Sequence, residues 1–236
     1  GSDPTEIKDL AGTHPDLLQR LIAEFELEAT ANYVYPIDNR DDRRAITMPP
    51  ADLAEASRPR NFFPEGDAIH GVTVSPMIAD RDFELSARFE WNHGDEGVIV
   101  AMGDHFAGMV LFVMDGHLHF TYQLWYRPIE LAPIALTPGA QEFVLHYRAI
   151  GGRKGRGDIT LNGKLAVEAA DLSPTIVRLP SGGLSVGINR RKSISARYAS
   201  RGTFRYSGEI ELVRLEPGPQ APDTPMVLDA AEVQVR

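Results

Sequence analysis

The sequence predicts a mainly β protein: an antiparallel β-sandwich of jelly-roll or lectin-like kind, preceded by an N-terminal helix and an extended linker. Three observations predict it. From Ile69 onward apolar residues recur with a period of two; turn dipeptides, Asp115-Gly116 and Asn162-Gly163, punctuate those runs; and helical periodicity is confined to the first 35 residues.

The helix is expected from about His14 to Tyr33. Thr13 is a candidate N-cap, Pro15 falls in the first turn, and Asp16 completes a weak capping box. Leu17, Leu18, Leu21, Ile22, Phe25 and Ala29 fall on one stripe, while Gln19, Arg20, Glu24 and Glu28 cover other faces. Such a stripe needs a partner surface, either the β region or a domain upstream. Residues 36–68, rich in Pro, Asp and Arg and without sustained periodicity, read as a linker crossing the surface, anchored by Phe62-Phe63.

Residues 69–236 make up the sandwich. Phe83, Leu85, Ala87, Phe89 and Trp91 alternate with Asp82, Glu84, Ser86, Arg88 and Glu90, which is a strand with one buried face. Val98–Met102 and Met109–Met114 are almost wholly apolar, as central strands are, and Asp115-Gly116 turns the second of them into a strand over His117–Tyr126. Further strands are expected at Glu142–Ile150, Asp158–Leu161, Lys164–Ala169, Leu184–Asn189 and Thr203–Leu215.

Composition excludes several classes. With 43% hydrophobic and 24% charged residues the chain is an ordinary soluble globular protein. No run approaches the roughly 18 apolar residues that span a bilayer. A net charge of -9 disfavours nucleic acid as a partner, because phosphates need a surplus of Lys and Arg. The absence of cysteine removes disulfides, thiolate metal ligands and cysteine nucleophiles, and leaves bacterial cytoplasm and periplasm both open. Gly1-Ser2-Asp3-Pro4 lacks the basic and apolar regions of a signal peptide, so the start reads as a cut within a longer protein.

Candidate chemistry is sparse. Asp80, Asp82 and Glu84 alternate as sandwich glycosidase carboxylates do, yet Phe83 and Leu85 claim the core and turn the acids outward. His117 and His119 share a strand face, with His93 and His105 in nearby loops, but too few ligands have meaningful spacing for a metal. The same face carries Thr121, Gln123 and Trp125, a mixture suited to a partner surface or a sugar ring, and Tyr126 follows it. The loop Gly151–Gly157 is basic and glycine-rich but runs strand to strand, so it reads as a mobile hairpin rather than a phosphate cradle. Arg190, Arg191, Lys192, Arg197 and Arg201 make the stretch after Asn189 locally basic, able to meet an anionic substrate or an acidic domain.

Three segments carry a family resemblance. Asp3-Pro4-Thr5-Glu6, then Asp9-Leu10-Ala11, His14-Pro15 and the helix, resembles the segment that closes the catalytic domain of bacterial-type arylsulfatases. Residues 97–123, GVIVAMGDHFAGMVLFVMDGHLHFTYQ, and the ending GLSVGIN (183–189), Tyr198 and FRYSGEIELVRLE (204–216) resemble that family's C-terminal region, with Asn189 standing where relatives often carry an acid. The resemblance implies that residues 1–35 are the tail of a catalytic domain and that the rest is a non-catalytic accessory domain packing on it and shaping it. The family hydrolyses sulfate esters with a formylglycine, made from a Cys/Ser-x-Pro-x-Arg motif, and a calcium ion. Ser57-Arg58-Pro59-Arg60 lacks the final Arg, Asn61 standing there, so no cofactor is expected in this chain, and the formylglycine and calcium would lie upstream of Gly1.

The sequence thus predicts no catalytic or metal residue here, and names Trp125, Tyr126, His117, His119 and Arg190 as candidate ligand or interdomain contacts. The expected partners are an upstream sulfatase domain and, secondarily, a carbohydrate or sulfate ester. The alternative is a free-standing carbohydrate-binding module; a sandwich glycosidase is the weakest reading. The helical stripe and the two-sided sandwich also permit a homo-oligomer.

Overall fold

The computed structural model describes residues 7, 9–32, 34, 50–64, 66, 68–180 and 182–223. The chain divides into two compact units, one holding the first helix and the other everything from the second helix onward.

In the first unit, α1 spans Pro15–Ala31. Pro15 stands in its first turn, but His14 rather than Thr13 occupies the N-cap and offers no side-chain cap, so the predicted capping box does not form. The proline supplies the helical φ and lacks an N–H that would need capping. Leu17, Leu18, Leu21 and Ile22 are exposed and Ala29 is buried. The Asp3-Pro4-Thr5-Glu6 motif, Tyr33, Tyr35 and residues 36–49, 65 and 67 of the expected linker lie outside the described residues.

The second unit is a two-layer antiparallel sandwich. Its strands are β1 (Arg60–Phe62), β2 (Arg81–Trp91), β3 (Gly97–Gly103), β4 (Ala107–Met114), β5 (His117–Leu124), β6 (Arg127–Glu130), β7 (Ile134–Ala135), β8 (Gly139–Gly151), β9 (Lys154–Leu161), β10 (Lys164–Asp171), β11 (Leu184–Val186) and β12 (Ile210–Gln220). One sheet runs β1-β12-β2-β8-β9-β10 and the other β11-β3-β4-β5-β6, with β7 also paired to β5. Two short helices, α2 (Pro50–Ala56) and α3 (Gly71–Ile78), precede β2.

The segment read as a linker therefore contributes an edge strand. Asn61 pairs with Arg214 and Phe62 with Val213, and three residues are too few to show a period. Phe62 is buried, whereas Phe63 beside it is 58% exposed, so only one of the expected pair is an anchor. β2 alternates as predicted, with Phe83, Leu85, Ala87, Phe89 and Trp91 inward. Between the sheets these residues meet Met102, Met109, Leu111, Val113, Leu118, Phe120 and Tyr122, a continuous core whose burial is the main drive to fold.

Both Asp115-Gly116 and Asn162-Gly163 turn with positive φ at each residue (52° and 72°; 52° and 73°), as two-residue hairpins of this hand require. The glycine-rich stretch 151–157 is a tight hairpin, most of it inside the strands. β8 and β9 run through it and reverse at Gly152-Arg153, with Gly151 opposite Lys154. Gly155 is required by packing, since a Cβ there would stand 1.8 Å from Tyr147 Oη. Residues 224–236 of the expected sandwich lie outside the described residues.

Candidate functional site

β3–β4 and β5–β6 are neighbouring hairpins, because β4 pairs with β5 in full register from Ala107 opposite Leu124 to Met114 opposite His117. Their ends therefore meet. In the first, Gly103 takes φ +86° where an added Cβ would collide with Ala107 O, and Asp104 Oδ1 accepts the Phe106 N–H at 2.8 Å. In the second, Leu124 pairs with Arg127, leaving Trp125 and Tyr126 as a two-residue turn with φ 51° and 60°. That turn is normally made by Asn-Gly, and each non-glycine residue in this region costs roughly 1–2 kcal/mol.

Backbone and side chains join the two tips. Trp125 N–H donates to Phe106 O at 2.7 Å, and Gln123 Nε2 donates to His105 O. The Tyr126 ring lies 5.5 Å from both Phe106 and His105, edge-on to the former. His105 Nδ1 is buried without a hydrogen-bond partner among the described residues, with Asp104 Oδ1 3.8 Å away. Phe106, Trp125 and Tyr126 remain 42%, 53% and 64% exposed. The joined tips thus present three exposed aromatic side chains, hereafter the platform, at one end of the sheet.

Trp125 thus stands in a turn and not, as expected, on the His117–Gln123 strand face. That face is not open either. His119, Thr121 and Gln123 are buried, and a second small core of Val98, Ala101, Val110, Phe112, Ile194, Tyr198 and Phe204 forms where residues 194–204 cover the sheet. The His119 ring stacks on Phe112 at 4.8 Å and 9°, and Nε2 lies 3.3 Å from Met114 O. Burial lowers its pKa below the usual histidine value against the pull of the Met114 carbonyl.

His117 is exposed, its Nδ1 bonded to Asp115 O at 2.7 Å, but it begins β5 whereas Trp125 follows its end, about 26 Å away by strand rise. Arg190 is exposed and donates to Gly66 O at 3.2 Å. Asn189 Nδ2 donates to Tyr198 Oη at 2.9 Å in the buried patch, so the position holds the covering segment. Of the other basic residues, Arg197 pairs with Glu130 and Arg201 with Glu96 at 2.7 and 2.6 Å. Of the five residues named from sequence, the structure brings Trp125 and Tyr126 together in the turn after β5, and His117 and His119, with ring centroids 6.5 Å apart, toward the other end of that strand. Phe106 was missed, although an aromatic flanked by Gly103 and Gly108 between two apolar runs was a usable signal.

The other sequence candidates dissolve into structure. Asp80 is not aligned with Asp82 and Glu84 but buried, accepting Thr175 Oγ1 at 2.6 Å. Ser57 Oγ donates to Leu53 O and accepts from Arg81 Nη2, and Asn61 replaces the motif's Arg, so Ser57 does not fit a formylglycine. The His93 ring packs edge-on against Trp91. Among the described residues no three His, Asp or Glu side chains converge as a cation site, and no helix is long and apolar enough to cross a membrane.

No family model and no curated protein matches the chain. Among solved structures it is similar to the Ruminococcus gnavus IT-sialidase CBM40 bound to α2,3-sialyllactose, with 11% identity over 75% of this chain and 96% of that one and a TM-score of 0.48. A leech intramolecular trans-sialidase gives 10% identity over 75% and 27% of the two chains, TM-score 0.46. The binding domain of botulinum neurotoxin DC gives 12% over 66% and 37%, TM-score 0.39.

Proposed function

We propose that this chain is a non-catalytic, carbohydrate-binding β-sandwich that serves as the C-terminal accessory region of an arylsulfatase. The observation that carries the binding role is the platform itself. Two consecutive exposed aromatics occupy a backbone region that disfavours them, braced by a third, Phe106. Aromatic faces present C–H-binding surface to pyranose rings, while His105 and the Tyr126 hydroxyl supply polar edges. The parentage rests on the sequence resemblance, whose second segment contains Phe106 and whose third forms the covering patch around Tyr198.

Retention of the purified chain on immobilised polysaccharides tests the first part. Retention on at least one neutral glycan is expected, weakened tenfold or more by Trp125→Ala, which corresponds to about 1.4 kcal/mol. No retention on any glycan overturns it. The second part is tested in the parent gene, where a Cys/Ser-x-Pro-x-Arg motif is expected upstream of Gly1; a gene without one overturns the sulfatase parentage. Sulfate-ester hydrolysis by this chain alone would overturn the non-catalytic reading.

A further inference from the structure

The outer face of the β2-containing sheet carries a depression built from strands other than those of the platform. Its volume is about 180 Å³, and Asn61, Ser86, Arg88, Glu142, Leu212 and Arg214 line it. Register assembles these residues. Asn61 stands opposite Arg214, Arg214 opposite Ser86, and Arg88 between Leu212 and Glu142. Arg88 and Arg214 are thus diagonal neighbours on adjacent strands, a spacing of about 7–8 Å between backbones that long side chains close easily.

Neighbours hold both guanidiniums in place. Arg214 Nη1 donates to Asn61 Oδ1 at 3.1 Å, and its Nε and Nη2 donate to Glu216 Oε2 at 3.3 and 3.1 Å. Arg88 Nη2 donates to Glu211 Oε1 at 2.6 Å. These bonds use three of five donors on Arg214 and one of five on Arg88. The glutamate pairs are exposed, and such pairs contribute about 0–1 kcal/mol, so a ligand oxyanion exchanges with them at little cost.

We propose that this depression is a subsite for an oxyanion, a sulfate or a carboxylate, carried on a sugar. Arg88 and Arg214 take the oxyanion in bidentate fashion, as guanidinium forks do. Ser86 and Asn61 hydrogen-bond beside it, Glu142 accepts a ring hydroxyl, and Leu212 meets the ring's C–H face. The inference shares the glycan-binding class of the proposed function but does not depend on the aromatic platform. A net charge of -9 repels polyanions in general, so retention by one is a local property.

The test is retardation of the chain in native gels containing dextran sulfate, polygalacturonate or plain dextran. Retardation by dextran sulfate assigns the oxyanion as sulfate, by polygalacturonate as carboxylate. In either case retardation falls with added salt and drops at least tenfold in Arg88→Gln/Arg214→Gln. Both arginines sit on an exposed face, and an unchanged urea midpoint shows that the double variant folds. Retardation by neither polyanion, or equal retardation of the double variant, overturns the subsite. Either result leaves platform binding to be judged on neutral glycans alone.

Discussion

The Trp125 backbone N–H and the Phe106 carbonyl are joined at 2.7 Å across two hairpin tips, which fixes Trp125 in the left-handed region with φ 51°. A strained backbone that presents exposed aromatics is expected to trade stability for binding. Replacing Trp125-Tyr126 with Asn-Gly, the pair this turn prefers, is predicted to stabilise the chain by about 1–3 kcal/mol in urea unfolding and to abolish glycan retention. A lower midpoint would mean that the two rings are packing elements rather than a presented surface.

Stability below neutral pH is expected to depend on His119. Its folded pKa is lowered, first by burial and further by Arg197 and His117, with the Met114 carbonyl and Asp115 opposing. The unfolded chain therefore binds the proton first: its contribution is fully present above the ordinary histidine pKa and is lost as pH falls below it toward the folded value. His119→Phe keeps a ring on Phe112 and removes the proton. The variant's urea midpoint should fall less than the parent's between pH 7.5 and pH 5, and equal losses would assign the acid sensitivity elsewhere.

The glycines of the β8–β9 hairpin separate backbone freedom from close approach. Gly155→Ala drives a methyl into Tyr147 and is predicted to cost about 1–3 kcal/mol, the usual penalty of overpacking. Gly152, with φ +59° and nothing within 4 Å, meets only backbone strain on the same change, roughly 1 kcal/mol. Urea midpoints ranking the two the other way would show that the hairpin yields around Gly155.

Legibility in the sequence followed the range of the interaction. β2 and the Asp-Gly and Asn-Gly turns are written in two to eleven contiguous residues, so periodicity and turn chemistry found them. β1 is too short to show a period and exists because β12, some 150 residues later, offers an edge. The burial of His119 was hidden for the same reason, since its cover comes from Ile194, Tyr198 and Phe204. Trp125 and Tyr126 were visible as residue types, but their turn was not, because Trp-Tyr is a poor sequence for it. The diagonal Arg88–Arg214 pair is a product of sheet register and leaves no local trace.

Arg81 carries the last prediction. It is buried, and its guanidinium donates to Gly218 O at the end of β12, to Pro76 O in α3 and to Ser57 Oγ beyond α2. Burial lowers its pKa, and Asp82 opposes that shift. One planar fork thus ties three segments to the start of β2, a geometry that a lysine ammonium on a single stem cannot reproduce. Arg81→Lys is predicted to cost about 2–4 kcal/mol, because a buried charge keeps its desolvation penalty while losing hydrogen bonds. The loss should be local before it is global. Hydrogen exchange at Asn61 and Phe62 of β1, which joins the sheet only through β12, should quicken more than exchange at Leu85 in the sheet centre. Equal acceleration at both places would mean that the sandwich unfolds as a single unit and that Arg81 does not hold its edge.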